Sequence, residues 1–175
     1  RLISAATAGL LEWQADPEID MVMIDHTGGR GFCAGGDIRM LAESGAKDGV
    51  EARAFFHTEY QLNHLLFTYD TPVVAIMDGV VMGGGVGISM PAHVRIATER
   101  TTFAMPETGI GLFPDVGGGY FLAQCPGHVG EWMALTGHAI AAGDAIEWGL
   151  GDVYVPAAQW ADLVEALTQR PQPTA

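Results

Sequence analysis

The chain has 175 residues, 49% of them hydrophobic and 17% charged, which is enough apolar mass for one domain with a real core. Its formal net charge of −13, with 8 scattered Lys and Arg residues, excludes a broad basic field for nucleic acid or an anionic membrane, so an anionic ligand must be gripped locally. Two cysteines, Cys33 and Cys125, are too few for a disulfide framework and lack zinc-site spacing, which points to a reducing cytoplasm.

Leu2, Ile3, Ala6, Leu10 and Trp13 recur at helical spacing and predict an amphipathic helix over 2–13, stopped by Ala15, Asp16 and Pro17. The chain opens on Arg1 inside that helix, so an upstream strand or a signal is expected to precede it. Residues 21–26 read as a buried strand, followed by a glycine turn at 28–31 and a loop over 32–37 with too much glycine for regular structure. A long helix is expected over 50–68, its apolar content supplied by Phe55, Tyr60, Leu62, Leu65 and Leu66. Residues 73–77 are all apolar, the mark of a strand buried on both faces, and they lead through Asp78 and Gly79 to the triplet Gly83, Gly84, Gly85 and a helix that Pro91 keeps short. Further strands are expected at 94–97, 102–105 and 153–155, with helical segments after 117–119 and at 131–136 and 143–148. Strands alternate with helices, so the class is α/β. No apolar run reaches the roughly 20 residues of a membrane-spanning helix, because Asp70, Asp78, His93 and Arg95 interrupt the candidates. One core domain over 1–168 is expected, with a polar, Pro-containing tail at 169–175 that frays.

Two glycine loops, one at Gly35 and Gly36 and one at 83–85, each follow a predicted strand. Such loops leave backbone N–H groups unpaired and let a ligand come close to the main chain; their bland reading is tight turning. Neither has the Gly-Lys-Ser/Thr ending of a phosphate loop nor the spaced third glycine of a dinucleotide site. Glu107 and Asp115 lie in one apolar stretch, where desolvation raises a carboxyl pKa and suits it to acid or base work. The alternative for Asp115 is capping the helix after the next glycines, and for Glu59 a solvated place on the long helix. His26, His57, His64, His93, His128 and His138 have no metal-ligand spacing, so no metal is expected. Ser89 sits outside a nucleophile elbow, and Cys33 has no evident His partner in sequence.

The segment Gly31-Phe32-Cys33-Ala34-Gly35-Gly36-Asp37-Ile38-Arg39 resembles the first signature of the crotonase, or enoyl-CoA hydratase/isomerase, superfamily, and 78–87 resembles the second. The resemblance runs from about Leu2 to Val155. It implies a ClpP/crotonase-like spiral of ββα units, here truncated at both ends because such chains are normally longer. It also implies an oxyanion hole made by the N–H groups of Gly36 and Gly84. Preorganised donors of this kind lower a barrier by about 3 to 4 kcal/mol each. Coenzyme A would lie along Gly35, Gly36, Asp37 and Ile38, with Arg39 as a phosphate partner.

Within the superfamily, 105–122 is similar to 3-hydroxyisobutyryl-CoA hydrolases of valine degradation. Hydratases carry one glutamate just after the glycine triplet, where this chain has Gly87, and a second at the position of Glu107. The hydrolase pattern instead pairs Glu107 with Asp115 and adds a substrate-contacting acid matching Glu59, beside Tyr60. Glu59, Gly84, Glu107 and Asp115 are therefore the implied substrate contacts, with Glu107 and Asp115 catalytic. Attack by water and attack by Glu107 through an anhydride both stay open. The resemblance implies no cofactor beyond the coenzyme A of the substrate, and a homo-oligomer, a trimer or hexamer in the superfamily. The rivals are an enoyl-CoA isomerase or hydratase and a catalytically silent acyl-CoA-binding scaffold.

Overall fold

In the computed structural model residues 2–26, 28 and 31–169 are described. The first half comprises helix α1 (Leu2–Gln14), strand β1 (Val22–Ile24), helices α2 (Ile38–Gly45) and α3 (Val50–Phe67), strands β2 (Val73–Met77) and β3 (Val80–Met82), and helix α4 (Gly84–Ser89). Strands β4 (Val94–Ala97) and β5 (Thr102–Ala104) follow, then a 3-10 turn at Glu107–Ile110 and helices α5 (Gly118–Leu122) and α6 (Val129–Thr136). Strand β6 (Ile140–Ala141), helix α7 (Ala142–Glu147), strand β7 (Val153–Tyr154) and helix α8 (Trp160–Thr168) complete the order.

The strands sort into two sheets. One is all parallel, in the order β1-β2-β4-β7, with Val74 opposite Val94 and Ile76 opposite Ile96. The other runs β3-β5-β6, with β3 parallel and β6 antiparallel to β5. Successive strands β2 and β3, then β4 and β5, step from the first sheet to the second before the chain turns helical. This alternation is the ββα spiral that the resemblance implies.

All five residues of β2 are buried, as a strand covered on both faces requires. Period-2 alternation divides them. Val73, Ala75 and Met77 join the main core with Leu62, Leu66, Val81 and Phe103. Val74 and Ile76 face the other way, onto Ile96, Trp160 and Leu163, so α8 covers the outer face of the sheet.

Several expectations need correction. Of the apolar face expected on α1 only Leu10 is buried, at 3% exposure; Ile3 and Ala6 pack against the core while partly buried, and Leu2 and Trp13 stand 70% and 42% exposed. Helices α2 and α8 and strands β3 and β6 were not expected. The expected strands over 21–26, 102–105 and 153–155 shorten to Val22–Ile24, Thr102–Ala104 and Val153–Tyr154. Gly29 and Arg30 of the expected glycine turn lie outside the described residues, as does Thr27 before it. So do residues 170–175 of the expected tail, whose first member, Gln169, caps α8.

Candidate active site

The two glycine loops meet. Cys33 N–H donates to Val80 O and Met82 N–H to Cys33 O, both at 2.9 Å, which draws the first loop alongside β3. At closest approach there is room only for glycine: a Cβ on Gly85 would lie 2.1 Å from Cys33 O, and one on Gly35 3.2 Å from Gly84 N. Gly83, between β3 and α4, has φ 52° and ψ −121°, a conformation that L side chains rarely adopt. Gly84 opens α4, so its N–H has no intrahelical partner. Among the described residues neither that N–H nor the N–H of Gly36 makes a hydrogen bond.

A cavity of about 280 Å³ opens at this junction. Gly35, Gly36, Ile38 and Leu41 form one wall; Phe55, Phe56 and Glu59 of α3 another; Gly83 and Gly84 the third. Pro106, Glu107, Ile110, Leu112 and Asp115 close it from the segment after β5. That segment is seated by Gly137, which ends α6 at φ 65° and where a Cβ would lie 3.0 Å from Pro106 Cα.

Three carboxylates, Glu59, Glu107 and Asp115, are buried here. Each reaches a different part of the cavity. A Cβ on Gly84 would lie 2.5 Å from Glu59 Oε1, and one on Gly83 3.1 Å from Glu107 Oε1, so both glutamates lean on the second glycine loop. Asp115 Oδ2 accepts a hydrogen bond from the Tyr60 hydroxyl at 2.7 Å. Burial, then the charges of Asp115 and Glu107, push the Glu59 carboxyl up to about 7. Glu107 is also raised, by burial first and by Asp115, against a backbone hydrogen bond that lowers it. Its Oε2 is buried without a hydrogen-bond partner among the described residues. A buried orphan acceptor between two loops of unpaired N–H groups suits chemistry at a carbonyl: the donors can take developing negative charge while the carboxylate receives a proton.

The sequence-expected residues Glu59, Gly84, Glu107 and Asp115 thus converge, together with Gly35, Gly36 and Ile38. Asp37 and Arg39 do not line the cavity. The Asp37 carboxylate caps α2 instead, accepting from Arg39 N and Met40 N at 3.1 Å each. The capping alternative for Asp115 does not hold, because Gly117 caps α5 without any side-chain bond. The solvated place considered for Glu59 is likewise ruled out by its burial. Sequence reading missed the apolar lining by Leu41, Phe55, Phe56, Ile110 and Leu112; the usable signal was that Phe55 and Phe56 sit one helical turn before Glu59. Gly87, where the hydratase pattern has its first glutamate, faces no open space: a Cβ there would lie 2.6 Å from Val116 Cβ and 2.7 Å from Asn63 Nδ2.

A second cleft of about 340 Å³ lies between Asp78, Arg100 and Trp160. Its buried carboxylate is already engaged, since Asp78 accepts from Thr98 Oγ1 at 2.6 Å and from Arg100 Nε at 2.8 Å. Among the described residues no three His, Cys, Asp or Glu side chains are grouped to hold a metal ion, and no helix is long and apolar enough to cross a membrane.

The profile of the enoyl-CoA hydratase/isomerase family matches residues 1–175. The mitochondrial 3-hydroxyisobutyryl-CoA hydrolase of Xenopus tropicalis is 50% identical over 143 residues, which are 82% of this chain and 37% of that protein. The chain therefore spans well under half the length of that relative. The small ribosomal subunit protein mS47 of Neurospora crassa is 52% identical over 130 residues, 73% of this chain and 26% of that protein. Among solved structures, an enoyl-CoA hydratase from Rhodobacter sphaeroides superposes with a TM-score of 0.90 at 42% identity, covering 99% of this chain and 53% of that one. The crotonase fold expected from the signatures is thereby established. The expected cytoplasmic location is overturned, because the hydrolase relatives are mitochondrial proteins. Cys33 and Cys125 are free, and two free cysteines do not identify a compartment.

Proposed function

The chain belongs to the enoyl-CoA hydratase/isomerase family, and from that premise we propose that it hydrolyses a 3-hydroxyacyl-CoA thioester, with 3-hydroxyisobutyryl-CoA the best-fitting substrate and valine degradation its setting. One observation carries the reading: Glu107 and Asp115 share the cavity beside the glycine loops, while the position of the hydratase's other glutamate, Gly87, is walled off by Val116 and Asn63. Addition of water to a double bond needs paired acid and base groups at those two positions; hydrolysis of a thioester does not.

On this reading the Gly36 and Gly84 N–H groups hold the thioester oxygen as it gains negative charge. Glu107 takes a proton from the attacking water, or attacks the carbonyl itself to form an anhydride that water then opens. By either route the carbon–sulfur bond breaks, the sulfur leaves as thiolate and picks up a proton, and the acid and free coenzyme A result. Asp115 accepts a hydrogen bond from the 3-hydroxyl, and Glu59 faces the acyl chain beside Gly84. Coenzyme A leaves along Gly35, Gly36 and Ile38, with the exposed Arg39 near a phosphate. Asp37 serves this path by fixing the start of α2.

Sequence identity alone does not decide the reaction, since a ribosomal protein and a protein described as an enoyl-CoA hydratase match this chain about as well as a hydrolase does. The deciding assay follows free thiol released from 3-hydroxyisobutyryl-CoA in parallel with the absorbance of an enoyl-CoA. Thiol release without loss of the enoyl absorbance is expected; the reverse would make the protein a hydratase or isomerase, and silence in both a scaffold. Glu107→Gln, which removes the proton-accepting charge at constant shape, is expected to lower turnover by about 100-fold or more. Near-normal turnover in that variant would end the mechanism.

A further inference from the structure

Asp115 lies on an irregular stretch, where Gly118 N–H donates to its backbone carbonyl at 2.6 Å. Residues 112–116 belong to no helix or strand, and Val116 has φ 46°, a left-handed conformation that is a genuine outlier for a β-branched residue. Among the described residues the one side chain bonded to Asp115 comes from 55 positions earlier in the chain: the Tyr60 hydroxyl, which donates to Oδ2 at 2.7 Å. Tyr60 follows Glu59 on α3, and its ring packs on Phe56, a residue of the cavity wall, with centroids 5.8 Å apart.

We infer that Tyr60 is a positioning residue that selects for the acyl hydroxyl: by occupying one oxygen of Asp115 it leaves the other to accept the substrate's 3-hydroxyl. The inference rests on the hydrolase reading above and names what sets its specificity. Asp115 faces Glu59 and Tyr60 from α3 and Glu107 from the 3-10 turn, so it has two acidic neighbours and one hydrogen-bond donor. Burial and the bond to Asp115 hold the Tyr60 hydroxyl above the ordinary phenol range, so it stays a donor wherever the site works.

The test is Tyr60→Phe, which removes one oxygen and keeps the ring. Hydrolysis of 3-hydroxyisobutyryl-CoA is expected to fall about 10-fold or more, and that of isobutyryl-CoA by no more than about 2-fold, because only the first substrate uses the oriented oxygen. A thermal-unfolding cycle of Tyr60→Phe, Asp115→Ala and the double variant is expected to be non-additive. Equal losses on both thioesters, or additive unfolding effects, in a protein whose wild type hydrolyses the substrate, would overturn the inference alone. A wild type that releases no coenzyme A from either thioester would bring down the hydrolase reading and, with it, the role of Tyr60.

Discussion

Glu59 carries a proton near neutrality only because the fold crowds it. Its carboxyl, ordinarily at 4.5, is raised to about 7 by burial and by Asp115 and Glu107, so the folded chain binds a proton that the unfolded chain has lost throughout that window. Stability must then be highest below pH 4.5 as far as this group is concerned, fall as pH rises from 4.5 to 7, and level off above. The contribution is on the order of 3 kcal/mol, and the raised Glu107 adds a decline of the same sign. Glu59→Gln, neutral at every pH, is expected to flatten much of this slope, read as the difference between thermal midpoints at pH 5 and pH 8. An undiminished difference in the variant would mean that Glu59 is not where the proton sits. The same residue explains why Gly84 has to be glycine, since a Cβ there would run 2.5 Å from Glu59 Oε1 and drive the carboxylate out of the cavity.

On the hydrolase reading, the packing of helix α4 against the segment around Val116 is what disfavours hydratase chemistry. Their contact at Gly87 is so close that a side chain must displace either Val116 Cβ at 2.6 Å or Asn63 Nδ2 at 2.7 Å, and Asn63 is itself tied to Gly87 O at 2.9 Å. Restoring the hydratase's acid by Gly87→Glu is therefore expected to destabilise the protein by about 1 to 3 kcal/mol through overpacking, without creating hydratase activity. A variant of wild-type stability that hydrates an enoyl-CoA would show that the wall can yield. Elements with a strong periodic signal were legible before any coordinates: β2 from its run of apolar residues, and α3 to within a residue of its end. What escaped were elements too short or too mixed for periodicity. Strand β3 has three residues between two glycines, β6 has two, and α2 begins at a glycine-rich loop whose Asp37 was read as a ligand contact although it is the N-cap. The convergence of Glu59 with Glu107 and Asp115 came from family resemblance and not from pattern, because contacts between α3 and a loop some fifty residues later leave no trace in local spacing. The bond from Tyr60 escaped for the same reason.

At the scale of the whole molecule, the charge opposes the ligand proposed for it. With 21 Asp and Glu against 8 Lys and Arg, the chain carries a formal charge of −13, and a coenzyme A thioester brings several negative phosphate charges of its own. The cavity does little to offset this, since its described walls hold three carboxylates and no cation, and the bound end must rely on backbone N–H groups. Long-range repulsion is then expected to slow association, an effect that reaches roughly 30 Å at 0.01 M salt and only about 8 Å at 0.15 M. On the hydrolase reading, kcat/KM should therefore rise, by about 2-fold to 10-fold, as ionic strength increases over that range, while kcat, which does not include the encounter, stays nearly constant. Removing a positive charge at the entrance sharpens the contrast. Arg39 is exposed at the start of α2 and is the phosphate partner proposed above, so on that proposal Arg39→Ala should lower kcat/KM at every salt concentration and steepen its rise with salt. If kcat/KM fell with salt in the wild type, a local cluster of cations would be outweighing the net charge. If that fall survived Arg39→Ala, the cluster would have to lie elsewhere on the surface.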